Sequence, residues 1–99
     1  MMADAPRRTI GLAWYRREDY PGIRAMMADP HTLAPSYDQW LMAAENNERV
    51  AQEAGLHVVR VMMTPDGFAA WCAARNLEPA SGARSRWVQE AVHDRPGAS

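Results

Sequence analysis

The sequence predicts an α+β (or α/β) domain with two short strands and four helices in the order β-α-α-β-α-α. Two stretches read as strands, Thr9 to Tyr15 by strict alternation and His57 to Met63 by a run of β-branched and apolar residues. Start signals at Glu18-Asp19, Ser36, Thr64 and Ser81 each open an apolar stripe at helical spacing. A length of 99 residues fits one domain.

Residues 1–8 carry no periodicity and are expected to form a flexible N-terminal segment. In the first strand Ile10, Leu12 and Trp14 alternate with Thr9, Gly11, Ala13 and Tyr15. This parity puts Trp14 in the core and Tyr15 on the opposite face. The second set is small up to Tyr15, so another element can approach it closely. A helix over 17–28 should follow. Glu18 and Asp19 favour the dipole of its first turn, and Pro21 is tolerated only there. Tyr20, Ile23, Met26 and Met27 make its stripe. Asp29-Pro30 stops it, because the residue before proline is pushed out of the helical region.

Ser36 and Gln39 have capping-box spacing. They open a helix over 37–54, with Gly55 as its left-handed terminator. One face gathers Tyr37, Trp40, Ala44, Asn47, Ala51 and Ala54, while Glu45, Glu48 and Arg49 read as a solvated face with an i,i+4 pair between Glu45 and Arg49. In the second strand both faces are partly apolar. Both should be covered, with Arg60 paired or reaching past an edge. Thr64-Pro65-Asp66 supplies an N-cap, a proline at the first helical position and a first-turn acid. Phe68, Trp71 and Cys72 follow at helical spacing, and Asn76 ends that helix. Ser81 caps the last helix, over 82–93, with Trp87, Val88 and Ala91 inward. Residues 9–93 thus form a single compact domain, and 94–99 a flexible tail.

Two strands alone make a marginal sheet, and their outer edges are templates for another chain. A homodimer is therefore expected. It would pair strand edges into a larger sheet, or join the small-residue helix face through Trp40, Ala44, Asn47 and Ala51, where the Asn47 amide either fixes register or sits at the wet border of a narrower stripe. The connection between the strands is long enough for a right-handed parallel crossover, though strand direction stays open.

Composition narrows the functions. The net charge of −1 argues against a general phosphate-binding surface. All 11 basic residues are arginine, so lysine chemistry, from Schiff bases to P-loops, is excluded. The lone Cys72 permits no internal disulfide and no Cys-rich zinc site. It falls on an apolar stripe, where a thiol serves as a small core hydrophobe. His31, His57 and His93 lack metal-ligand spacing, so neither a metal nor a cofactor is expected. No glycine-rich phosphate loop or nucleophile elbow occurs. With no visible signal peptide and no membrane-length apolar run, a cytoplasmic location without a membrane partner is expected.

The strand end and the loops gather Tyr15, Arg16, Tyr20, His31, Tyr37 and Arg60 as a candidate ligand-binding set. Arginine with tyrosine suits a small anionic or planar ligand. The leading expectation is a non-catalytic interaction or small anionic-ligand binding module that acts as a homodimer. One alternative is a dimeric nucleic-acid-binding regulator using Trp14-Tyr15-Arg16-Arg17 as a stacking platform, which the charge balance opposes. Another is a small hydrolase or isomerase pairing His31 or His57 with a carboxylate.

The runs GLAWYRREDYPGIRAMMADP, SYDQWLMAAE and VRVMMTPDGFAAWCAARNLEP resemble a family of small conserved bacterial proteins of unknown function. The resemblance spans about residues 9–80. It implies a stand-alone domain and attaches no activity, cofactor or site residue.

Overall fold

The computed structural model describes residues 8–93. The expected flexible ends, 1–7 of the leading segment and 94–99, lie outside the described residues. The elements are β1 (Thr9–Trp14), α1 (Tyr20–Met26), a 3₁₀ turn (Pro30–Thr32), α2 (Tyr37–Glu53), β2 (His57–Met62), α3 (Pro65–Ala74) and α4 (Ser81–His93). The order is β-α-α-β-α-α, an α+β domain.

The two strands pair in parallel, with Thr9 opposite His57 and Trp14 opposite Met62. α1 and α2 form the crossover between them. Each face of the sheet carries one long helix. Leu12 and Trp14 face α2, where the Trp14 ring meets the Trp40 ring edge-on at 5.2 Å. On the other face Gly11, Ala13, Val59 and Val61 meet α4 through Val88 and Val92. Gly11 is required for that approach. A Cβ built on it would lie 2.5 Å from Val88 Cγ1 and from Val92 Cγ2. α1 and α3 close the end of the sheet, burying Tyr20, Ile23, Met63, Phe68 and Cys72 almost completely.

The capping signals at Ser36 and Thr64 act as read, whereas Ser81 is the first residue of α4 rather than its cap, and its N–H is taken by the Asp29 carboxylate. The Ser36 hydroxyl accepts the Gln39 N–H and the Thr64 hydroxyl accepts the Gly67 N–H, both at 3.2 Å. Each satisfies one of the donors a helix start leaves unpaired. Gly55 adopts φ +90° after α2, and Asn76 adopts φ 55° after α3.

Three further expectations need correction. α1 begins at Tyr20 rather than at residue 17, because residues 17–19 form a turn that carries Asp19 N–H and Tyr20 N–H back to the Arg16 carbonyl. Tyr15 is only 2 % exposed. The strand ends at Trp14, so its alternation no longer governs the next residue, and Tyr15 turns into the aromatic core. Glu48 does not belong to a solvated face. Its side chain is 16 % exposed and takes the Arg60 guanidinium through two hydrogen bonds of 2.8 Å. Arg49 bonds Asn46 instead of Glu45.

Candidate functional site

The parallel ladder decides which backbone groups of β1 are already used. His57 N–H donates to the Arg8 carbonyl and Met63 N–H to the Trp14 carbonyl, both at 2.9 Å. Groups on a strand alternate in direction, so the even-numbered residues of β1 point their N–H and C=O toward β2. The N–H and C=O of Thr9, Gly11 and Ala13 point the other way. Among the described residues they meet no hydrogen-bond partner.

Two grooves flank the Gly11–Ala13 part of this edge and together make a slot. A cavity of about 320 Å³ flanks the edge on the α4 side, bordered by Ser81, Ser85 and Gln89. A second of about 300 Å³ flanks it on the α2 side, bordered by Ala43 and Asn47. Leu12, Ala13 and Arg84 line both. Among the described residues lining these grooves Arg84 is the only charged one, although 23% of the chain is charged.

Arg84 reaches from α4 past the end of the edge. Its Nη2 donates to Thr32 Oγ1 at 3.1 Å, and its Nη1 stands 3.8 Å from Asp29 Oδ1. Asp29 Oδ2 accepts the Ser81 N–H at 3.1 Å. That backbone donor holds the Asp29 carboxyl below its usual range, and the Arg84 charge adds to the effect. Burial pushes the Tyr15 phenol, which lines the α2-side groove, up to about 12. The Arg84 cation opposes that shift.

The expected ligand-binding set does not converge on one pocket. Tyr15, Tyr20 and Tyr37 do come together, but around Trp40 as a ring cluster with centroids 4.8 to 5.7 Å from it. The Tyr20 hydroxyl donates to the Ala34 carbonyl at 2.6 Å and Tyr37 to the Tyr15 carbonyl at 3.2 Å. Arg16 pairs with Asp19 at 3.0 Å. Arg60 lies 3.9 Å over the Trp14 ring and is held by Glu48. His31 is exposed on the 3₁₀ turn. Arg16, His31 and Arg60 lie outside the two grooves that flank β1. His57 is also exposed, and among the described residues neither it nor His31 pairs with a carboxylate. The described residues contain no metal-binding cluster.

The expected dimer face is divided as well. Trp40 and Ala44 are buried against the sheet inside the chain, Ala51 is half-buried, and Asn47 is exposed on the flank beside the slot. Sequence reasoning missed Ala43 and Arg84. The i, i+4 spacing of Ala43 with Asn47 was a signal for the first; nothing local marked the second, whose partners lie 52 residues away and farther.

Fold and site together define a small domain built on one parallel β-α-β unit, with an uncharged β1 edge that stays unpaired among the described residues. The chain belongs to the family described as a domain of unknown function (DUF8829), which matches residues 5–98. No curated protein and no solved structure matches it. No helix among the described residues is long and apolar enough to cross a membrane.

Proposed function

We propose that this chain is a non-catalytic interaction module whose working surface is the open edge of β1, where an extended backbone adds as a further strand. One observation carries the reading: the backbone groups of Thr9, Gly11 and Ala13 meet no partner among the described residues, and the Gly11–Ala13 part of this edge is flanked by two grooves that share Leu12, Ala13 and Arg84. In strand addition, main-chain hydrogen bonds supply affinity and flanking pockets receive alternate side chains. The slot offers both. β1 carries no charge and no proline between Thr9 and Trp14, the devices by which sheets blunt an edge. β2, in contrast, presents Arg60, tied to Glu48.

A small-anion reading keeps one anchor. Arg84 Nη1 is buried and has no hydrogen-bond acceptor among the described residues. Asp29 already supplies its counter-charge at 3.8 Å, so the strand reading is favoured.

The test is a titration of isotope-labelled protein with a synthetic peptide of residues 8–17, RTIGLAWYRR, followed by amide resonances. Peptide binding should shift Thr9, Gly11 and Ala13 and protect their amides from exchange. Shifts confined to β2, or no shift with peptide in large excess, would remove the edge from consideration.

A further inference from the structure

From the shape and chemistry of the slot we infer that its occupant is a second copy of this chain, with β1 lying antiparallel to β1 of its twin across a two-fold axis. This rests on the proposed role of the edge and names the partner.

Three observations select a twin. The free groups recur at Thr9, Gly11 and Ala13, every second residue. An antiparallel partner presents paired donors and acceptors at that spacing, and a two-fold axis makes the same pattern serve both chains. The slot also suits a neutral partner. Arg84 is its one charge among the described lining residues and already faces Asp29, so two copies meet without like-charge repulsion. Interface cores are depleted in charge in the same way.

The third observation is the flank of α2. Ala43, Asn47 and Val50 follow at i, i+4 and i+7, a helical contact stripe. Ala43 and Asn47 border the slot, and Val50 is 54 % exposed although apolar. A two-fold axis through the β1 edges brings this stripe against its own copy on one face of the sheet. On the other face it brings together Ser81, Ser85 and Gln89 of the two α4 helices. Small residues on both flanks let the paired helices approach. Trp40 and Ala44 are buried against the sheet and form only the inner wall of the α2-side groove, while Asn47 lies on the contact flank.

Sedimentation equilibrium with matched variants tests the assignment. The chain should approach twice its 11.1 kDa mass as concentration rises. Val50→Glu places like charges together on the paired stripes and should weaken association more than about tenfold, since such juxtapositions are strongly unfavourable. Ala13→Pro removes an outward N–H and blocks the incoming strand, so it should do the same, although it also adds atoms where Ala13 packs against the core. Met42→Glu, at a residue 75 % exposed elsewhere on α2, and Val58→Pro, at an outward N–H of β2, should leave the dimer intact. Circular dichroism of each variant checks folding; Val50→Glu alters an exposed side chain and keeps the test valid should Ala13→Pro unfold.

A wild-type chain that stays at 11.1 kDa yet binds the residue 8–17 peptide at Thr9, Gly11 and Ala13 overturns the twin and leaves the strand-adding edge standing. A dimer indifferent to Val50→Glu and Ala13→Pro, but broken by Met42→Glu or Val58→Pro, also overturns it. A chain that neither associates nor binds the peptide overturns both readings.

Discussion

The two faces of this one small sheet are packed by opposite means. On the α2 face the filling is rings. Trp40 lies within 4.8 to 5.7 Å of the centroids of Trp14, Tyr15, Tyr20 and Tyr37, and the Arg60 guanidinium lies 3.9 Å over Trp14. On the α4 face the filling is small: Gly11 and Ala13 beneath Val88 and Val92, beside Val59 and Val61. Edge-on and tilted rings hold a helix at a distance and need every ring present. A glycine beneath a valine pair draws the helix close and leaves no room for a Cβ at that point. The α2 face should therefore be sensitive to removal of atoms and the α4 face to their addition.

The strongest test of that contrast is Trp40→Ala. It takes out the ring at the centre of the cluster and should cost about 3–5 kcal/mol, the usual range for a buried aromatic truncated in a core. Small domains have only about 5–15 kcal/mol in total, so the variant should be close to unfolded in a urea titration. A loss below about 1 kcal/mol would mean that the remaining rings collapse into the space. On the opposite face Gly11→Ala adds one methyl group 2.5 Å from each of two valine carbons. Overpacking of this kind costs about 1–3 kcal/mol. Combining it with Val88→Ala should cost less than the sum of the two single changes, because each relieves the other. Strict additivity would show that α4 shifts away freely and that the face is looser than its geometry indicates.

The same contrast explains which parts of the structure were legible in the sequence. Strand order, helix number and the caps at Ser36 and Thr64 are local in origin, and the observed element ends fall close to the expected ones. The small face of β1 was visible too, as the run of Thr9, Gly11 and Ala13. What no local pattern could tell was which side of α2 meets the sheet. The stripe through Trp40, Ala44 and Asn47 is wide, and only tertiary packing divides it into a buried part and an open flank. Tyr15 was misplaced because alternation was extended one residue past the strand. Arg16, Arg60 and the tyrosines were gathered as candidate ligand groups; pairing of Arg16 and Arg60 was legible, but that Glu48 holds Arg60 and the Ala34 carbonyl takes the Tyr20 hydroxyl is set by folding. Arginines with aromatics in this chain mostly hold its own surface together: Arg17 lies 4.6 Å over Tyr37 and Arg75 4.4 Å over Trp71.

The smallest expected effect sharpens the comparison further, because the α2 face also carries an ion pair at its rim. The Arg60 guanidinium donates two hydrogen bonds to Glu48 and holds that carboxyl below its usual range, with burial opposing. In the unfolded chain Glu48 has its ordinary value. The pair's contribution is therefore fully present above the ordinary carboxylate range and is lost as pH falls through the lowered folded value, where the native carboxylate takes up its proton. Glu48→Gln should flatten the acid limb of the stability curve by that share and leave stability at high salt nearly unchanged. Arg60 is half-exposed at 49%, so solvent screening keeps the difference at neutral pH below about 1 kcal/mol. Urea midpoints of both proteins at neutral and acid pH measure it. A loss comparable to that of Trp40→Ala would show that charge, rather than ring packing, holds α2 on the sheet, and the contrast between the two faces would have to be redrawn.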